Sequence, residues 1–409
     1  LASQSRNRWL LAGAALGIAI AAALGALWAF RYGLDRYRER IERMVAQSTG
    51  RPFHLQGPLE LRLAPLTIET GPAQLGNPPG VTGPPFAAWR STRVALELMP
   101  LLHRRLVVDN VRLEGLEMHL QRTADGRANW SGWSTAEGRE RPTQGGDSLP
   151  IELRALEIRG GEIDLTDAGT ERRAQLSDLN LNADSVRFGP RIEIGSVRLS
   201  SRVWTPSLRT GSPIQLDLAK IDLSQTPHEV SVSHASLRFA ESSAEGSLTA
   251  TESDGLWHAR GALSARVASV RRLAEVFGVH VPRTRDPEAL GSFALMSDWA
   301  FEGGTLELDS LNAHLDDTAI SGRIVYRRVP SVPLLEIDLH GDRVNLDRYS
   351  SAQANLSGRS EMTLAELRAL PIQGTLALDE MQLGGTEMHQ IRLEMGSLER
   401  VGLSGRRAP

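Results

Sequence analysis

The feature that most constrains this chain is a two-residue alternation of apolar and polar side chains, repeated in runs along most of its length. Leu59, Leu61 and Leu63; Val94, Leu96 and Leu98; Val111 and Leu113; and Leu116, Met118 and Leu120 each take every second position. Between them stand Glu60, Arg62, Arg93, Glu97, Arg112, Glu114, Glu117 and His119. Successive strand side chains point to opposite faces, so each run predicts a strand with one apolar and one wet face. The pattern resumes at Ile151 and Leu153, Leu156 and Ile158, Ile163 and Leu165, Ile192 and Ile194, Ile214 with Leu216 and Leu218, and Leu306 with Leu308. Gly71-Pro72, Gly76 to Gly80 and Asp125-Gly126 supply turns, and Gly160-Gly161 reads as a further turn former. The expectation is a mainly β chain, a meander of short antiparallel strands.

One-sided apolar strands must cover that face with something. Helical candidates are few: Arg31 to Gln47, Val270 to Phe277, a capped short helix at Asp286 to Leu290, and Met362 to Ala369. Two arrangements remain: sheets packed on each other as a sandwich, or a groove filled by lipid acyl chains. Periodicity by itself favours the sandwich.

From Trp9 to Phe30 the sequence carries no charged residue. At about 1.5 Å per residue it reaches roughly 30 Å, the thickness of a bilayer's hydrocarbon layer. Trp9 at one end and Trp28 and Phe30 at the other sit where an interfacial aromatic belt belongs. Gly13, Gly17, Ala21 and Gly25 recur every four residues along one helix face, a spacing that permits close helix packing. The segment predicts a retained single-pass anchor rather than a cleaved signal peptide.

Several kinds of chemistry lack their residues. There are no cysteines, which removes disulfides and thiolate catalysis, and the ten histidines are scattered singly without zinc-site spacing. No metal ligand set, phosphate loop or dinucleotide fingerprint is present, so no metal or cofactor is expected. A net charge of −3 with both signs interspersed offers no footprint for nucleic acid. Gly146-Asp147-Ser148-Leu149 spells the opening of a serine-esterase signature, yet no histidine has an aspartate three residues before it. No catalytic residue is assigned, and the chain is expected not to be an enzyme. Asp316 and Asp317 are adjacent; in a strand they would face opposite ways, and Asp317 reads as part of a turn.

A series of short segments, in order, resembles the AsmA family of envelope proteins (AsmA/TamB-like). They are Thr49-Gly50-Arg51, Leu59 to Leu63, Asn77-Pro78-Pro79-Gly80, Val94 to Leu102, Ala124 to Trp130 (ADGRANW), Leu156 to Asp167 (LEIRGGEIDLTD) and Leu176 to Leu181. Asp286-Pro287, Leu315 to Thr318 and Asn345 to Tyr349 follow. The resemblance implies a cytoplasmic N-terminus, a single pass through the bacterial inner membrane, a periplasmic body and a curved antiparallel β-groove of repeated units. It also implies a role in outer-membrane integrity or in moving phospholipid, with the inner membrane, phospholipid and envelope assembly proteins as partners. Under it the chain divides into a tail (1–8), transmembrane helix (9–30), juxtamembrane helix (31–49), first β unit (50–130), loop (131–149) and second β unit (150–268). Short helices with a third β unit (269–349) and the truncated start of a further unit (350–409) complete it.

The expected groove lining is Leu59, Leu61, Leu63, Val94, Leu96, Leu98, Val111, Leu113, Ile151, Leu153, Ile163, Leu165, Leu216 and Leu218. The alternative is an envelope scaffold with a self-packed β core that binds no lipid.

Overall fold

The computed structural model describes residues 35–396 apart from 58, 64, 98, 101–105, 132–150, 171, 189–190, 207–210, 226–227, 280, 282, 329–333 and 351–371. The Trp9 to Phe30 segment, with Gly13, Gly17, Ala21, Gly25 and Trp28, lies outside these residues, as do Ser148 and Met362 to Ala369. Among the described residues, no helix is long and apolar enough to cross a membrane. The fold is mainly β with few short helices, and it divides into two compact units at Arg187/Phe188.

Unit 1 is two ladders joined on one long strand. Helix α1 (Asp35–Thr49) precedes β1 (Phe53–Leu55), β2 (Leu59–Leu63), β3 (Leu66–Thr70), β4 (Ala73–Leu75), β5 (Ala87–Trp89) and β6 (Ser91–Leu96). After these come β7 (Leu106–Glu114), β8 (Glu117–Arg122), β9 (Ile151–Asp167) and β10 (Arg172–Phe188). The first ladder runs β2, β3, β6, β7 and the N-terminal half of β9; the second runs β1, β4, β5, β8 and the C-terminal half of β9. Both joins to β9 are parallel, unlike the expected antiparallel meander.

Gly160-Gly161 is therefore no turn. It lies inside β9 where the two ladders part, and backbone bonds from Gly115 to Arg159 (2.9 Å) and from Glu162 to Leu116 (2.6 Å) flank it. A Cβ on Gly161 would stand 3.3 Å from the Leu179 side chain and 3.2 Å from the Leu116 carbonyl, so close packing selects glycine.

Unit 2 is one ladder of long strands: β11 (Arg191–Trp204), β12 (Ser212–Gln225), β13 (His228–Phe239), β14 (Ser242–Ser253), β15 (Leu256–Val267), β16 (Phe293–Glu302), β17 (Thr305–Leu315), β18 (Thr318–Arg327), β19 (Leu334–Asn345), β20 (Ile372–Leu383) and β21 (Thr386–Met395). Each pairs with the next, antiparallel throughout except β19 with β20. The sheet is open and curved: among the described residues β11 and β21 do not join.

These strands are longer than the short runs in the sequence suggest, because the alternation slips by one residue without ending the strand. Leu216 and Leu218 are followed by Ile221 and Leu223, and Lys220 between them has φ of 51°. Ser310 (φ 51°) sits between Leu308 and Leu311, Asp178 (54°) between Leu176 and Leu179, Ser185 (57°) between Ala183 and Val186, and Gln390 (54°) between Met388 and Ile391. A left-handed residue turns the strand by one position, as a bulge does, and returns the apolar side chains to the same face. What reads as a break is a phase correction.

The capped short helix expected at Asp286 to Leu290 is a turn instead; Asp286 accepts the Glu288 amide at 2.9 Å, an Asx-type bond that competes with helix. Val270–Val276 does form a helix (α2), capped by Ser269, whose hydroxyl accepts the Arg272 amide at 3.2 Å.

Candidate functional site

Register decides which side chains share a face. In unit 2, Leu199, Leu216, Leu237, Ala244, Ala265, Leu295, Ala313, Ile320, Gly341, Leu378 and Ile391 are successive cross-strand partners, an unbroken apolar row over all eleven strands. A parallel row runs Ile192, Leu223, Val230, Ala250, Ala259, Phe301, Leu306, Tyr326, Leu335 and Ile372. The opposite face carries Arg198, Asp217, Ser236, Glu245, Ser264, Met296, Asn312, Ser321, His340, Ala377 and Arg392. Ion pairs such as Arg198–Asp217 (3.0 Å) decorate that polar face.

The apolar face is left mostly half-buried. Leu378, Ile221 and Ala250 are buried, whereas Leu237, Phe301, Tyr326 and Leu393 remain between 37% and 43% exposed. Beside the small residues of β14 and β15, a cleft of about 370 Å³ is walled by Leu237, Leu248, Leu263, Trp299, Leu306 and Leu308. One end of the face is closed: α2 is held there by the Phe277 ring 6.2 Å from that of Phe239, by Thr205 bonding the Val276 carbonyl and by Arg272 pairing with Glu241 at 2.6 Å.

Unit 1 distributes the sequence-predicted lining over both its ladders. In the first, Leu61, Ile68, Val94, Val111 and Leu156 form one row, Leu113 stands opposite Ile158, and Leu96 opposite Val108, which pairs with Leu153. Leu59 and Leu153 are buried, while Leu61, Val94, Leu96, Val111 and Leu113 are half-buried. The other face of this ladder pairs Glu69 with Arg93 (2.9 Å) and Arg112 with Glu157 (3.0 Å).

Ile163 stands in the second ladder, in the row Phe53, Leu75, Ala87, Met118, Ile163. That row starts in the protein's own core, where Phe53, Ala73, Leu75, Phe86, Ala87 and Leu116 pack with Ile41 and Val45 of α1. Leu165, two residues on, is 38% exposed. Leu216 and Leu218 lie on unit 2's apolar face; Leu98 and the side chains of Leu63 and Ile151 fall outside the described residues. The greater part of unit 2's face was not named from sequence. Its signal was apolar pairs separated by three positions rather than two.

The ordered sequence landmarks converge on two polar clusters. In unit 1, Asn129 is fully buried: its Oδ1 accepts the Gln121 amide (2.9 Å), and its Nδ2 donates to the His119 carbonyl (2.6 Å) and to Asn77 Oδ1 (3.1 Å). The buried Arg51 guanidinium donates to the Asn129 carbonyl (2.7 Å) and lies 4.3 Å over the Phe86 ring. Burial lowers the pKa of Arg51. In unit 2, the Asp316-Asp317 turn accepts from the Leu290 and Gly291 amides (2.9 and 2.8 Å) and from the Tyr349 hydroxyl (2.9 Å), and Asp317 pairs with Arg348. Arg348 also bonds Asp286 at 2.7 Å, and burial with the Asp316 bond pushes the Tyr349 phenol up to about 12. Helix α3 (Leu346–Tyr349), capped by Asn345, presents Asp347 to the Gly384 and Gly385 amides at 2.6 and 2.8 Å. Both clusters fasten chain to chain.

A family model describing the AsmA family matches residues 9–250. The chain belongs to the AsmA family. None of the curated proteins and none of the solved structures match it. In this AsmA-family chain the two polar clusters bond residues far apart in sequence, Asn77 to Asn129 in unit 1 and Asp316 to Tyr349 in unit 2. Donation from the Gly385 and Gly384 amides keeps the Asp347 carboxyl below its ordinary pKa. A depressed carboxylate contributes stability above its unfolded pKa, near 4, and loses it as pH falls through the folded value. An acid titration of hydrogen exchange should therefore show the β20–β21 turn loosening below about pH 4. Asp347→Asn should flatten that response; an unchanged profile would remove Asp347 from the account.

Proposed function

We propose that this AsmA-family protein is a passive, non-enzymatic lipid carrier of the bacterial envelope, held by Trp9 to Phe30 in the inner membrane with its body in the periplasm. Its apolar β face takes phospholipid acyl chains and so supports outer-membrane assembly. The observation that carries this reading is the apolar row from Leu199 to Ile391, continuous across unit 2 and opposed by a polar face. Each methylene moved from water onto such a face gains about 0.8 kcal/mol, while a headgroup beyond the strand ends stays hydrated. Neighbouring positions on the face are energetically similar, so a chain can slide without a chemical step.

Photo-crosslinking residues placed at Leu61, Leu96, Leu216 and Leu237 of the full chain in membranes should capture phospholipid, with Arg198 on the polar face capturing little. Crosslinks to protein alone at all four positions would leave the scaffold reading in its place. That reading draws on the unit 1 core, where α1 does cover the Phe53–Leu75–Ala87 row.

A further inference from the structure

The end of unit 2's apolar face opposite α2 is built differently. The β14–β15 hairpin turns there: β16 ends at Glu302, opposite His258, and among the described residues the pairing of β13 with β14 begins at Glu229, opposite Thr251. Among the described residues, the ladder partners of Glu252 to Trp257 are one another, Glu252 with Trp257 and Ser253 with Leu256, and the Glu252 side chain also bonds His228. Asp254 (φ 54°) and Gly255 (φ 73°) close a two-residue turn whose left-handed pair matches the strand twist. At this tip Leu256 is 52% and Trp257 43% exposed. Being adjacent in a strand, they point to opposite faces.

We propose that this tip seats in the headgroup layer of a zwitterionic phospholipid bilayer. A protein partner approaching from one side would cover Leu256 or Trp257, whereas a lipid surface entered end-on surrounds both. Trp257 lies on the same face as Ala259, whose partner is Phe301, and Phe301 leads through Leu306 to Tyr326, so an aromatic rim borders this end. Tryptophan and tyrosine favour the membrane–water interface, where an apolar ring and a polar group are both satisfied. Next to the tip the charge is acidic, with Arg327 and Arg328 three strands away beside Tyr326. Glu252 and Glu302 pair with His228 (2.7 Å) and His258 (3.4 Å), and Asp254 stands at the turn, so carboxylates meet the ammonium groups of phosphatidylethanolamine or phosphatidylcholine and repel anionic lipid. The proposal rests on the lipid-carrier reading in one respect: the tip continues the apolar face, which makes it the point where lipid passes between bilayer and protein.

Because the chain has no cysteine, Leu256→Cys accepts a fluorophore at one place only. The labelled full chain, mixed with phosphatidylcholine/phosphatidylethanolamine vesicles containing brominated acyl chains, should be quenched, and Glu241→Cys at the opposite end should not. Adding Trp257→Ser to the labelled chain should raise the lipid concentration for half-quenching about tenfold. Replacing part of the lipid with phosphatidylglycerol should weaken quenching. No quenching at position 256, equal quenching at 241, or stronger quenching with anionic lipid would each overturn the proposal. So would burial of the probe against a second copy of the chain without vesicles. Crosslinking at Leu237 separates the two readings: lipid captured there without quenching at the tip ends this proposal alone, and quenching without capture ends the carrier reading and leaves a membrane-seated tip.

Discussion

Asn129→Ala should destabilise unit 1 by about 3–5 kcal/mol, because it strands the Gln121 amide and the His119 carbonyl inside the protein. Each buried, unpaired backbone group costs on the order of 1–3 kcal/mol, and the fully buried site admits no easy replacement by water. Asn77 loses its partner as well, whereas the Arg51 bond, made to the main-chain carbonyl of residue 129, is kept. At roughly 2–4 °C per kcal/mol for a unit of this size, the first thermal transition should fall by about 10 °C, read by calorimetry. A shift under about 2 °C would show that the cluster does not hold unit 1 together. Asn129→Asp adds a test of sign: its carboxylate would face the His119 carbonyl, and burial would raise its pKa. The penalty should then be small below about pH 4, where the acid is protonated in both states, and should grow as pH rises through the elevated folded pKa.

The second large effect is expected at Gly374→Ala. Gly374 has φ of 123°, and a Cβ there would stand 1.8 Å from the Ile337 carbonyl oxygen and 2.8 Å from its carbon. Neither atom belongs to a flexible side chain, so the strand itself must retreat. Gly374 is the parallel partner of Ile337, and β20 carries β21 with it. Backbone strain and lost ladder bonds together should cost about 3–5 kcal/mol. Hydrogen exchange gives the clearest readout: amides of β20 and β21 should lose protection while those of β12 to β17 keep theirs. Gly396→Ala, with nothing within 4 Å of the added carbon, is the matched control and should change nothing. Uniform retention of protection in Gly374→Ala would mean that β19 and β20 are joined by something other than close backbone approach.

Much of the architecture is legible without coordinates. Leu216 and Leu218, or Leu306 and Leu308, announce strands with one greasy face, because a two-residue period is a local property set by the backbone. The turn at Asp316-Asp317 and the helix at Val270–Val276 follow from similarly local chemistry. The length of the strands was harder to read, since Lys220 and Ser310 interrupt the period and nothing in their side chains declares a left-handed backbone. For the candidate site the consequence is direct: Leu216 and Leu218 were visible as lining, whereas the continuation through Leu237, Leu295 and Ile320 depends on which strand lies beside which.

The sequence by itself determined that the chain would build strands, that each would have an apolar and a wet face, and that its ordered landmarks are those of the AsmA family. Only the tertiary structure decided that β9 joins two ladders in parallel, that Arg51, Asn77 and Asn129 meet in one buried cluster, and that one apolar row crosses unit 2 from β11 to β21. The division has a physical cause. Which way a side chain points follows from its own backbone and nearest neighbours, while pairing and register arise from hydrogen bonds between residues far apart in sequence, for which the alternation pattern is nearly the same in every strand.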